Sequence, residues 1–117
     1  MTLYLDRGQL VYEYNALALK RSVARSTAAL PAGRVRIEVE TVVASPKPGS
    51  AAQIVMRVDG AEVGRTSVPY TLPLAFTATE TFDVGVDLGS PVALDYYDRA
   101  PFSFNGRIDK VHVAYKP

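Results

Sequence analysis

In residues 34–43, R-V-R-I-E-V-E-T-V-V, apolar and charged side chains alternate: Val35, Ile37, Val39 and Val43 on one parity, Arg34, Arg36, Glu38 and Glu40 on the other. A period of two sends successive side chains to opposite faces of an extended chain, so this stretch folds as a half-buried β-strand with Val35, Ile37, Val39 and Val43 turned inward. The same alternation recurs at Leu10, Tyr12, Tyr14; at Ile54, Met56, Val58; at Leu74, Phe76, Ala78; at Phe82, Val84, Val86; and at Val111, Val113, Tyr115. Between these runs stand turn residues. Asp6-Arg7-Gly8 and Asp59-Gly60 are hairpin signals, whereas Pro31-Ala32-Gly33, residues 45–49 (S-P-K-P-G) and Gly89-Ser90-Pro91 interrupt hydrogen-bond ladders. Seven or more short strands at this spacing predict an all-β chain, an antiparallel two-sheet β-sandwich.

Two segments strain that pattern. Residues 16–30 are rich in alanine and leucine, which helix propensity would accept. Leu17, Leu19 and Val23 nevertheless share one parity, and Ser22, Ser26 and Thr27 lower the helical odds, so a strand is predicted over residues 19–26 with those three apolar side chains on one face. In the last strand Ile108 and Val111 differ in parity, which predicts a bulge at Asp109-Lys110.

The 117 residues suffice for one domain that buries roughly two thirds of the surface its unfolded chain exposes. Thirteen Lys and Arg against twelve Asp and Glu supply no counterion-release drive toward nucleic acid or anionic lipid. The absence of cysteine rules out thiol catalysis, thiolate zinc sites and disulfides together. No apolar run approaches the ~18 residues of a membrane span, and Met1 is followed by T-L-Y-L-D rather than by a basic and then apolar leader. The expectation is a soluble chain without signal peptide or transmembrane segment.

Chemistry-bearing residues concentrate in residues 82–104. Asp83, Asp87, Asp95 and Asp98 are oxygen ligands of the kind calcium prefers, yet no D-x-D-x-D-G loop frames them, and Asp83 and Asp87 read as the solvated face of a strand carrying Val84 and Val86. Tyr96 and Tyr97, flanked by Asp95, Asp98 and Arg99, form a possible sugar platform, because an aromatic ring covers the apolar side of a pyranose while carboxylates take its hydroxyls; packing on the domain or on a neighbour is the competing reading. His112, the one histidine, has no second imidazole or thiol to complete a zinc site or triad and is expected on the surface. Tyr12 and Tyr14 fall on the core face and Glu13 on the other. Gly85 inside an apolar run marks a bulge or a close approach of another backbone. These residues imply no cofactor.

Five motifs, Y-L-D-R-G-Q-L-V-Y-E-Y-N (residues 4–15), L-P-A-G-R-V-R-I-E-V-E (30–40), V-D-G-A-E-V-G (58–64), F-D-V-G-V-D-L-G-S-P-V (82–92) and F-N-G-R-I-D-K-V (104–111), together resemble the C-terminal β-domain of bacterial arylsulfatases. The resemblance runs nearly end to end. It implies a jelly-roll, concanavalin A-like sandwich that packs on a large catalytic domain in those enzymes. The C/S-x-P-S-R motif that supplies their formylglycine nucleophile has no counterpart here. The nearest string, Ser67-Val68-Pro69-Tyr70-Thr71, lacks the arginine and falls in an expected inter-strand loop. The chain is therefore expected to be non-catalytic, a structural or protein-interaction domain, with a lectin-like carbohydrate-binding module as the alternative. The related domains carry a further apolar strand ahead of the segment matching residues 2–6, so an open sheet edge there and self-association into a homo-oligomer are expected. A sulfatase catalytic domain is the other partner implied, and a glycan a possible one.

Overall fold

The computed structural model describes residues 1–73 and 82–116, and among them it is built of antiparallel strands with a single 3₁₀ segment. The strands are β1 (Thr2–Asp6), β2 (Gln9–Ala16), β3 (Lys20–Ala29), β4 (Ile37–Val43), β5 (Ala52–Val58), β6 (Ala61–Val68), β7 (Val86–Asp87) and β8 (Phe102–Ser103); the 3₁₀ segment spans Leu94–Arg99. Their pairing makes two three-stranded sheets, β1-β2-β3 and β4-β5-β6, and a two-stranded ribbon, β7-β8. The all-β expectation and its antiparallel sheets are met.

Turn chemistry sets the registers. Arg7 and Gly8 (φ 50° and 81°), like Asp59 and Gly60 (φ 50° and 86°), take the paired positive φ of a tight hairpin turn whose twist matches its strands. The β2–β3 turn is less expected, since Leu17 and Ala18 both adopt positive φ without being glycine. The Asn15 side chain holds it: its Oδ1 accepts the Ala18 amide at 2.7 Å. Where β2 slips register against β3 between Gln9 and Val11, the Leu10 amide finds the Ser26 hydroxyl at 3.0 Å, which in turn donates to the Ala28 carbonyl.

The main core joins both three-stranded sheets. Leu10, Tyr12 and Ala24 of the first form one buried cluster with Ala52, Ile54, Met56, Val58 and Val68 of the second, with Val35, Ile37 and Val39 packed at its rim. β3 and β6 meet most closely at Gly64, where a Cβ would lie 2.9 Å from both the Arg25 carbonyl oxygen and the Met56 methyl. That approach leaves no room for large side chains on the inner parity of β3. Ser22, Ala24 and Ser26 are the buried residues of this strand, while Leu19 and Val23 are exposed, as is Leu17 before it. The strand expected over residues 19–26 exists, but its apolar face is the outward one.

Three further expectations are corrected. Val43 is exposed rather than inward, because the last residues of β4 run past the edge of the core cluster. The strand expected at Phe82, Val84 and Val86 shortens to β7, with Phe82 and Val84 exposed and Gly85 turning the chain at φ 83°. Val111, Val113 and Tyr115 lie in exposed chain with no ladder to another described strand, so no bulge forms at Asp109-Lys110. The strand expected at Leu74, Phe76 and Ala78 lies outside the described residues. Val68 of the S-V-P-Y-T string closes β6 and is buried in the core.

Candidate functional site

β2 is covered on both faces. Leu10 and Tyr12 enter the main core, whereas Val11 faces the other way and joins Tyr4, Ala93 and Tyr96 in a second cluster roofed by residues 87–103. The Tyr96 ring stacks on Phe102 at 4.4 Å with 2° between planes, Tyr4 meets both rings edge-on at 4.9 and 5.9 Å, and the Arg99 guanidinium sits 5.0 Å from the Phe102 centroid. Stacked and edge-to-face rings each add to plain burial, so three aromatics fasten this roof to the sheet.

Polar groups of the roof and the sheet then pair off. The Tyr96 hydroxyl donates to Asp87 Oδ2 at 2.6 Å and lies 3.1 Å from the Thr2 hydroxyl; the same Asp87 oxygen accepts the Val92 amide. Tyr4 donates to Asp95 Oδ2 at 3.1 Å, and Asn15 donates to the Val92 carbonyl at 2.8 Å. Beneath them Glu13, 0% exposed, accepts a hydrogen bond from Arg21 on each of its carboxylate oxygens, at 2.5 and 2.7 Å. The charge pairing extends outward from there. Arg21 and Arg25 approach Asp95 at 3.7 and 3.5 Å, and Asp6 takes Arg25 at 3.3 Å and Arg99 at 3.7 Å. Three carboxylates, Asp6, Glu13 and Asp95, thus face three guanidiniums.

Burial also acts on the phenols of this layer. Burial, reinforced by Asp87, pushes the Tyr96 hydroxyl up to about 12, and burial followed by the Asp95 charge raises Tyr4 as well. Tyr12, in the main core, is pushed up to about 12 by burial and then by Tyr14. A raised folded-state pKa contributes stability that is present below the unfolded value of about 10 and is lost as pH climbs through the folded one. Stability limited by these phenols should hold up to about pH 10 and fall between about 10 and 12. Denaturant midpoints across that range check it, read beside tyrosinate absorbance: a transition complete below pH 10 would contradict the burial of these rings.

The expected site residues separate into two groups. Asp87, Asp95 and Tyr96 come together, and Tyr96, 1% exposed, belongs to the second core rather than to a sugar platform. Tyr97 and Asp98 sit on the exposed side of the 3₁₀ segment, and Asp83 accepts the Leu88 amide at 3.0 Å. Asp83 and Asp87 are thus bonded to loop amides and a phenol instead of lining a solvated strand face. Among the described residues no group of three His, Asp or Glu is placed to hold a metal ion, and no helix is long and apolar enough to cross a membrane. His112 is exposed.

Glu13, Arg21, Arg25, Asp6 and Tyr4 were not singled out as a charged cluster from the sequence. The signal was available in Val11, an apolar residue on the parity opposite Leu10, Tyr12 and Tyr14, which announces a second covered face. Any carboxylate on that parity then needs a cation, and Arg21 and Arg25, four apart on β3, share the required side.

No protein-family model matches the chain, and neither a curated protein nor a solved structure is similar to it. None of these comparisons links the chain to arylsulfatase C-terminal domains.

Proposed function

We propose that this chain is a non-catalytic protein-interaction domain related to the C-terminal domain of arylsulfatases, a concanavalin A-like sandwich whose halves are the two three-stranded sheets. The shared core cluster supports the sandwich reading. One observation carries the functional one: residues 82–104 present Phe82, Leu88, Leu94 and Tyr97 to solvent, each more than half exposed, from a segment pinned by the Tyr96–Asp87 and Tyr4–Asp95 bonds. Exposed apolar side chains on a pre-ordered surface favour a protein partner, since little ordering entropy remains to oppose binding. A sulfatase catalytic domain fits the motif resemblance. The polar groups that would serve a small ligand are instead consumed internally.

A glycan is the second reading, favoured by the outward Tyr97 ring beside Asp98. A single ring makes a poor platform, so loss of glycan binding in Tyr97→Ala, against a wild type that binds, would be required to prefer it.

The interaction reading extends to a second copy. β1 forms the outer edge of its sheet among the described residues, with Leu3 exposed. Such an edge is a template for strand pairing. Light scattering at ~100 μM is expected to give a dimer mass that falls with dilution and is lost in Leu3→Lys. The same preparation should hydrolyse no chromogenic aryl sulfate. A monomer at every concentration would remove β1 self-association, and turnover that follows the protein peak would remove the non-catalytic reading.

A further inference from the structure

The segment after β8 is exposed and apolar along one parity, with Val111, Val113 and Tyr115 at 51%, 79% and 92% exposure. Two ion pairs tether it to the chain around β4. Asp109 meets Arg34 at 3.2 Å, and Lys116 meets Glu40 at 2.8 Å. Both series ascend together, 34 to 40 and 109 to 116, so the segment runs parallel to β4 and nearly in step with it. Among the described residues β4 pairs only with β5, and its other edge carries no strand.

Placing Lys116 directly beside Glu40 fixes a register, and the two sequences match in it on both faces. One face aligns Val35 with Val111, Ile37 with Val113 and Val39 with Tyr115; the other aligns Arg36 with His112, Glu38 with Ala114 and Glu40 with Lys116. Val35, Ile37 and Val39 already pack at the rim of the main core. A shift by one residue, to the offset of the Asp109–Arg34 pair, would set the three apolar side chains beside Arg36, Glu38 and Glu40 and away from the half-buried Val35, Ile37 and Val39, so the Lys116–Glu40 register is the one that matches both faces.

We propose that residues 110–116 close onto the free edge of β4 of the same chain as a fourth, parallel strand of the β4-β5-β6 sheet, covering the rim of the core with Val111, Val113 and Tyr115. The tethers favour the same chain over a second copy, because they hold the segment at β4 and make pairing intramolecular. Closure supplies partners for the open backbone groups of both strands and removes an exposed edge. It is independent of the interface assigned to residues 82–104.

Amide hydrogen exchange by NMR on the full chain, at two protein concentrations about tenfold apart, tests the closure. The expected result is exchange at residues 110–116 at least about tenfold slower than in unstructured peptide, equal at both concentrations, with an Ile37–Val113 side-chain NOE. Val113→Asp should return residues 110–116 to unstructured rates while β2 and β5 stay protected, which shows that the variant still folds. Exchange at unstructured rates in the wild type would overturn the proposal. So would protection that appears only at the higher concentration with a dimer mass, since the strand would then belong to a second copy.

Discussion

Replacing Arg21 by Met is expected to destabilise the domain by about 3–5 kcal/mol, the usual cost of stranding a buried charge by removing its partner. Glu13 is fully buried, and Arg21 supplies the hydrogen bonds to both of its oxygens. Methionine keeps the unbranched apolar stem of the side chain and much of its packing but none of the donors. The carboxylate must then stay charged without its hydrogen-bonded guanidinium or bind a proton at a cost in free energy. Urea denaturation measures the loss directly. Arg21→Met combined with Glu13→Leu should recover most of it, because removing both members of a buried pair eliminates the unpaired charge. A single Arg21→Met variant within about 0.5 kcal/mol of wild type would mean that Glu13 finds water or another donor, and that the roof over the β1-β2-β3 sheet is looser than described.

Truncating Tyr96 to Ala should cost a similar ~3–5 kcal/mol, but through packing. Its ring holds the face-to-face contact with Phe102 and the edge contact with Tyr4, and its hydroxyl holds Asp87. Without it residues 87–103 lose their central fastening to β1 and β2. Tyr96→Phe isolates the hydroxyl, since the stack survives while Asp87 loses a donor, and about 1.5–3 kcal/mol is expected for a hydrogen bond to a charged group. The two variants should also differ in where they act: exchange protection should fall across residues 87–103 in Tyr96→Ala and near Thr2 and Asp87 in Tyr96→Phe. Equal effects would mean that the ring contributes little beyond its hydroxyl.

These two residues show where sequence reading succeeds and where it stops. The tight hairpins were legible because Arg7-Gly8 and Asp59-Gly60 state their turn type in the residues themselves, and β2, β4 and β5 because alternation is a local property. The face of β3 was not legible. Its inner residues are Ser22, Ala24 and Ser26 because β6 comes so close at Gly64, and such proximity belongs to the assembled sheets rather than to any window of sequence. The C-terminal alternation at Val111, Val113 and Tyr115 predicted a strand that the described residues do not form, because a ladder needs a neighbour, which alternation does not specify. Density alone drew attention to Asp87, Asp95 and Tyr96. Their internal role depended on a fact two strands away, the covering of the second face of β2 by residues 87–103.

The acidic and aromatic groups of this segment pair with one another and with the β1-β2-β3 sheet, and under the proposed function only its exposed apolar side chains remain for a partner. Titration of the isotope-labelled chain with calcium and with a glycan panel, followed by amide and tyrosine side-chain NMR signals, tests it most directly. No saturable shift is expected at Asp83, Asp87, Asp95 or Tyr96 in any titration. A saturable shift centred on those residues, abolished by Asp95→Asn or Tyr96→Phe in variants that remain folded, would contradict it.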